Sequence, residues 1–166
     1  MGQLFQKSND LKVLGWFFDH PSNEVHIREL ARQLKMAAST LSRTAATLVR
    51  EGYLQRRTER NAVFLKASLT PKFKALKAAR TVSKLSDCGI LELIKEKSTA
   101  LSGIYLYGSA ARGEDGPQSD YDLLVITSRC WATFSEINDH LDREVNVKVF
   151  SISKWQEASK KTRAFY

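Results

Sequence analysis

The chain is 166 residues long, 43% hydrophobic and 27% charged, ordinary proportions for a folded globular protein that exclude a disordered or fibrous class. No apolar run approaches the ~20 residues needed to cross a bilayer; the N-terminus lacks a leader pattern, and Gln6 stands where a myristoylation signal wants Ser or Thr, so a cytoplasmic protein with no membrane partner is expected. The net charge of +8 is unevenly placed, with net +10 in residues 1–84 and net −2 in residues 85–166; the first half is expected to seek a polyanion and the second to suit metals.

Ser8 or Asn9 opens a predicted helix with Leu11, Leu14, Phe17 and Phe18 at helical spacing, ended by His20-Pro21-Ser22-Asn23. Ile27, Leu30, Ala31 and Leu34 give a second helix with a narrow apolar stripe that must face a core. After the short turn Lys35-Met36-Ala37-Ala38, a third helix buries Leu41, Ala45, Leu48 and Val49, which puts Ser39, Thr40, Arg43, Thr47 and Arg50 on its opposite side. Gly52 supplies its stop. Ala37 and Ala38 stand where a capping Ser or Asn is usual, so the start of this helix is weakly marked. Two strand-like runs, 53–57 and 62–66, follow, joined by the polar turn Thr58-Glu59-Arg60-Asn61: a hairpin with a basic tip.

Three helices and a basic hairpin over residues 8–68 resemble the winged helix-turn-helix domains of prokaryotic transcription regulators, most closely in Ala38-Ser39-Thr40-Leu41-Ser42-Arg43 and Leu48-Val49-Arg50-Glu51-Gly52-Tyr53-Leu54. The resemblance implies double-stranded DNA as partner, with Ser39, Thr40, Ser42, Arg43 and Thr47 in the major groove, and Arg56, Arg57 and Arg60 along phosphates or a minor groove. It also implies a homodimer on two half-sites. The same fold serves elsewhere as a protein-docking module, which stays open.

Thr70-Pro71 starts a connecting helix, predicted over 70–87, in which Phe73, Leu76, Ala79 and Val82 recur by threes; this is the candidate dimer element, with a plain strut as the alternative. A helix over Cys88–Lys97 and a loop over Ser98–Gly103 follow. Cys88 and Cys130 have neither metal spacing nor an extracellular framework and are read as reduced thiols, and His20, His26 and His140 show no ligand spacing.

The apolar run Ile104–Tyr107 ends in Gly108-Ser109-Ala110-Ala111-Arg112; ten residues then separate Ser109 from Asp120, and a second apolar run starts at Asp122. A Gly-Ser turn after a strand lets backbone N–H groups approach a phosphate, the Ser109 hydroxyl can donate, and Arg112 adds a forked cation. A side-chain period of two puts Asp120 and Asp122 on one strand face, two hard oxygen ligands suited to Mg²⁺ with nucleotide phosphates. Glu114-Asp115 reads as a solvated loop.

Gly108-Ser109, ten residues, Asp120-x-Asp122 is similar to the signature of the minimal nucleotidyltransferases of the DNA polymerase beta-like superfamily, over residues 88–155. The resemblance implies that Gly108, Ser109 and Arg112 bind an NTP, that Asp120 and Asp122 hold Mg²⁺, and that a nucleoside monophosphate passes to a hydroxyl. The family expects a third acid on a later strand. Here Val145, Val147 and Val149 alternate toward the core, while Glu144, Asn146 and Lys148 face the site; Asn146 stands at the third-acid position and Glu144 is the candidate substitute. Helices are expected over Trp131–Leu141 and from Ser153-Lys154-Trp155; the chain stops at Phe165-Tyr166 where similar sequences continue, which leaves a truncated terminus open.

The expected fold is α+β: a winged helix-turn-helix domain (1–69), a connecting helix (70–87) and an α/β nucleotidyltransferase-like domain with a small mixed sheet (88–166). The expected function is a DNA-binding transcription regulator whose second domain binds Mg-NTP. The alternatives are an active nucleotidyltransferase acting on a protein, RNA or small-molecule hydroxyl, antitoxin-like where the target is a protein, and an interaction module with a degenerate site.

Overall fold

The computed structural model describes residues 8–130, 141 and 143–161, the last four by backbone alone. His140 and nearly all of the helix expected over 131–141 lie outside those residues. The chain divides into two compact units, residues 1–80 and 81–166. Among the described residues no helix is long and apolar enough to cross a membrane.

The first unit contains α1 (Asn9–Asp19), β1 (Glu24–His26), α2 (Ile27–Gln33), α3 (Ala38–Arg50), β2 (Leu54–Glu59), β3 (Ala62–Ala67) and the first part of α4 (Pro71–Asp87). Its core is one apolar cluster built from Leu14, Phe17, Phe18, Leu30, Leu41, Leu48, Leu65 and Phe73, all under 3% exposed. Helical spacing delivers these side chains to one side of each helix, and their burial removes apolar area from water. The strands form an antiparallel sheet in the order β1-β3-β2. The sequence reading missed β1, whose three residues are too few to show a period. The hairpin is tighter than expected: Glu59 pairs with Ala62, and the turn is Arg60-Asn61 alone, both at positive φ (44° and 66°). Such two-residue loops match the right-handed twist of the strands they join.

Two helix ends show how sequence sets local structure. The α3 terminus is a left-handed Gly52 (φ 78°), with the Tyr53 N–H bonded to the Leu48 carbonyl at 2.9 Å and the Gly52 N–H to Val49. The α2 terminus closes in the same way through Met36 to Ala31 and Lys35 to Arg32, with Lys35 rather than glycine at φ 50°. At the start of α3, Ala37 is the cap residue and offers no side-chain hydrogen bond.

Helix α4 differs from the expected stripe. Its buried positions are Phe73, Lys77, Arg80, Thr81 and Leu85, while Val82 is 51% exposed. At about 100° per residue, steps of three drift around the helix, so Phe73 and Val82 end on opposite sides. Arg80 reaches back within the first unit to Asp19 (2.7 and 3.0 Å) and to the Gly15 carbonyl (3.2 Å).

The second unit contains α5 (Ile90–Glu96), the two-residue strands β4 (Ser98–Thr99) and β7 (Arg129–Cys130), β5 (Gly103–Tyr107), the single turn α6 (Gly108–Ala111), β6 (Tyr121–Ile126), β8 (Val145–Phe150) and α7 (Ile152–Lys161). Its main sheet runs β5-β6-β8, antiparallel on one side of β6 and parallel on the other. Tyr121, Leu123, Val125 and Val145 point to a core shared with Ile90, Ile94 and Leu85. Val149, expected in that core, is 44% exposed.

Candidate functional site

In the second unit the register places Tyr107 opposite Asp122 on β5–β6, and Asp122 opposite Asn146 on β6–β8. Side-chain alternation then puts Tyr105, Tyr107, Asp122, Leu124, Asn146 and Lys148 on one sheet face. That face is closed at one end, where Leu124 and Ile126 are buried and Tyr105 lies parallel to Trp155 of α7, ring centroids 6.3 Å apart. It is open at the other, where Asp122 is half-buried and Asp120 exposed.

Gly108 sits directly above this open end with φ 73°, and a Cβ at this position would lie 2.5 Å from Asp122 Oδ2. Two features favour glycine here: the left-handed backbone, and a carboxylate that would have to shift to admit a Cβ. Ser109 follows in α6, half-buried, its carbonyl accepting the Arg112 and Glu114 N–H groups. Arg112 is exposed and its Nε donates to Glu114 at 2.8 Å. Asn146 Nδ2 donates to Asp120 Oδ2 at 3.1 Å. Glu144 is exposed just before β8, with its carbonyl accepting the Tyr121 N–H at 2.9 Å. Lys148 Nζ lies 5.4 Å from the Tyr107 ring centroid.

The loop that delivers Asp120 is built rather than loose. Asp115, read from sequence as solvated, is 1% exposed and bonds Arg143 Nη1 at 2.5 Å; the Arg143 side chain is 7% exposed and lies over the Tyr121 ring. Breaking a buried pair of this kind costs about 3–5 kcal/mol, because one charge is left without compensation. A Gly116–Ser119 turn follows, bonded in both directions: the Ser119 N–H to the Gly116 carbonyl (3.1 Å) and the Gly116 N–H to Ser119 Oγ (2.9 Å). Asp115 and Arg143 are 28 residues apart, so no local pattern could have paired them.

In the first unit, α3 turns Ser39, Ser42, Arg43, Ala46 and Arg50 to solvent, with Thr40 and Thr47 half-buried at its flank beside Asn9 and Asp10. Arg56, Arg57 and Arg60 are all exposed on the hairpin. Their surroundings differ. Arg57 donates to both Glu24 oxygens (3.0 and 2.7 Å) and to Glu59 (2.5 Å), with its guanidinium over Phe64. The hydrogen bond from Arg57 holds the Glu24 carboxyl below its ordinary pKa, and the Glu24 and Glu59 bonds raise that of Arg57. Arg28, Arg43, Arg50, Arg56 and Arg60 have no ionic partner among the described residues.

Residues 11–58 match the IclR helix-turn-helix domain family model, and residues 90–164 match the model for Polymerase beta, Nucleotidyltransferase. The chain joins a helix-turn-helix domain to a nucleotidyltransferase-like domain. Among solved structures, reduced HlyU from Vibrio cholerae N16961 is 29% identical over 43% of this chain and 72% of that chain, with a TM-score of 0.37. A second HlyU structure from the same organism is 28% identical over 44% and 76%, with a TM-score of 0.36. A comparison with curated proteins finds no match.

Within the nucleotidyltransferase-like domain, Gly108, Ser109, Asp120, Asp122 and Asn146 come together at the open end of the sheet. Arg112 is turned to Glu114 instead. A hard cation fits the donor set of two carboxylates beside a left-handed glycine. No group of three or more His, Cys, Asp or Glu side chains suited to a metal occurs among the described residues. In the helix-turn-helix domain, Arg28 near the start of α2 is a further exposed arginine outside the sequence expectations, since one charge on an amphipathic helix carries no local signal.

Proposed function

We propose that the protein is a DNA-binding transcription regulator whose nucleotidyltransferase-like domain binds Mg-NTP as a signal and turns it over slowly or not at all. The helix-turn-helix family match and the exposed arginines of α3 and the hairpin that lack acid partners support the DNA part. Ser39, Ser42, Arg43 and Arg50 present short polar groups and forked cations on one helix face, the chemistry that reads base edges in a major groove. Thr40 and Thr47 flank that face, and Arg56 and Arg60 reach phosphates. Arg57, held by two glutamates, contributes least. A homodimer on two half-sites follows from the symmetry such readers usually share with their operators, and light scattering of the free and DNA-bound protein checks it.

One observation carries the sensor reading: Asn146 stands where two-metal transfer wants an acid, and its amide donates to Asp120. An amide cannot take the proton from an attacking hydroxyl. Asp120 and Asp122 would hold the ion, and Gly108 and Ser109 the phosphates; bound there, Mg²⁺ would neutralise the charge of the triphosphate.

Calorimetry tests this directly. The wild-type protein is expected to bind Mg-NTP and an Asp120→Ala/Asp122→Ala variant to lose binding at least tenfold. Equal affinity in both overturns the pocket. Transfer of label from NTP to any acceptor, lost in Asp122→Ala, would instead make the protein a working nucleotidyltransferase.

A further inference from the structure

Between α2, α3 and the hairpin lies an open cleft of about 190 Å³, contained wholly within the helix-turn-helix domain. Its lining is apolar, with Ile27, Ala45, Ala46, Val49, Val63 and Leu65 contributing, and three polar side chains, Ser42, Arg28 and Arg56, complete it. The volume is below the roughly 300–1,000 Å³ of drug-sized ligand sites, so the cleft suits a small molecule. Alternation along β2 explains the charge: Arg57 points to the Phe64 side, where Glu24 and Glu59 neutralise it, while Arg56 pairs across the ladder with Leu65 on the cleft side. Neither Arg28 nor Arg56 has an ionic partner among the described residues. Two exposed guanidiniums without acid partners beside an apolar surface offer charge-assisted hydrogen bonds to an anion whose apolar body covers that surface.

We propose that this cleft binds a small carboxylate with a short aliphatic or aromatic body, and that occupancy opposes DNA docking. The carboxylate would bridge Arg28 and Arg56 and the body would cover Ala46 and Val49. Inorganic phosphate fits less well, because it leaves that apolar lining in water. The opposition arises because Ser42 and Arg56 belong both to the cleft and to the surface assigned to DNA, so it rests on the DNA-binding reading; the site itself does not.

The full chain is tested without DNA by thermal unfolding in benzoate and hexanoate, against benzamide, acetate and orthophosphate at matched ionic strength. Benzoate or hexanoate is expected to raise Tm by several degrees, benzamide and orthophosphate to leave it unchanged, and Arg28→Gln/Arg56→Gln to abolish the shift. Ala46→Phe, a substitution at an exposed position, is expected to abolish it by filling the cleft. No shift with either carboxylate, a shift equalled by benzamide or orthophosphate, or one that survives in the double variant overturns the site. In a mobility shift assay, carboxylate at ten times its dissociation constant should weaken duplex binding about elevenfold by mass action. Unchanged duplex affinity overturns the opposition; a chain that binds no duplex at all overturns the DNA reading, while the thermal result still decides the cleft.

Discussion

Arg56 and Arg57 are neighbours in sequence with opposite circumstances. A strand sends their side chains to opposite faces, and only Arg57 finds Glu24 there. The Glu24 carboxyl has a lowered pKa in the folded protein, so the pair's contribution is present above the ordinary glutamate range and is lost as pH falls through the lowered value. It is intact at neutral pH. Removing both acids by Glu24→Gln/Glu59→Gln should therefore loosen Arg57 and let it meet a phosphate. The expected result is tighter duplex binding, with a salt dependence steeper by about one unit in log–log slope. A slope identical to wild type would mean that Arg57 stays out of reach even when released. Asn146 makes a related point about chemistry. Its position on the site face was legible from alternation with Val145 and Val147, but its amide bond to Asp120 was not, because the partner lies 26 residues away, on the loop before β6.

Elements carry their own compromises. The β2–β3 turn places Arg60 and Asn61 in the left-handed region, where asparagine is tolerated and a long side chain is strained. Glycine would suit the first position better. Arg60→Gly is expected to stabilise the helix-turn-helix domain by about 1 kcal/mol, a rise in Tm of about 4–8 °C for a domain this size. It should also weaken DNA binding and reduce the salt slope by about one. A variant that gains stability and keeps full affinity would remove Arg60 from the interface. Helix α3 shows what local reading can do: the apolar spacing of Leu41, Ala45 and Leu48 fixed its buried side, and Gly52 its end. The weak start expected at Ala37 corresponds to a cap with no side-chain bond. Helix α4 shows the opposite, because residues recurring by threes do not share a face, and Lys77 and Arg80 occupy buried positions that no hydrophobicity pattern would select.

At the scale of the molecule, the boundary between the two units falls inside one continuous helix, α4, so neither unit ends where regular structure ends. If nucleotide is the signal, the two ligands must be linked. Mg-NTP should change duplex affinity, and saturating duplex should change Mg-NTP affinity by the same factor, about 5–150-fold for couplings of ordinary size. Titrations in both orders check this, and duplex affinity that ignores Mg-NTP would leave two independent modules on one chain. The amino-acid sequence by itself determined the kinds of element, the two motif sets and the charge split, because hydrophobic period, turn chemistry and motif spacing act over a few residues or along one strand. Tertiary structure decided which charges are neutralised, where Asp115 is buried, how closely Gly108 meets Asp122 and that a cleft opens beside α3. Each of these depends on atoms brought together from distant parts of the chain, and their interaction is governed by burial and distance, which no local pattern records.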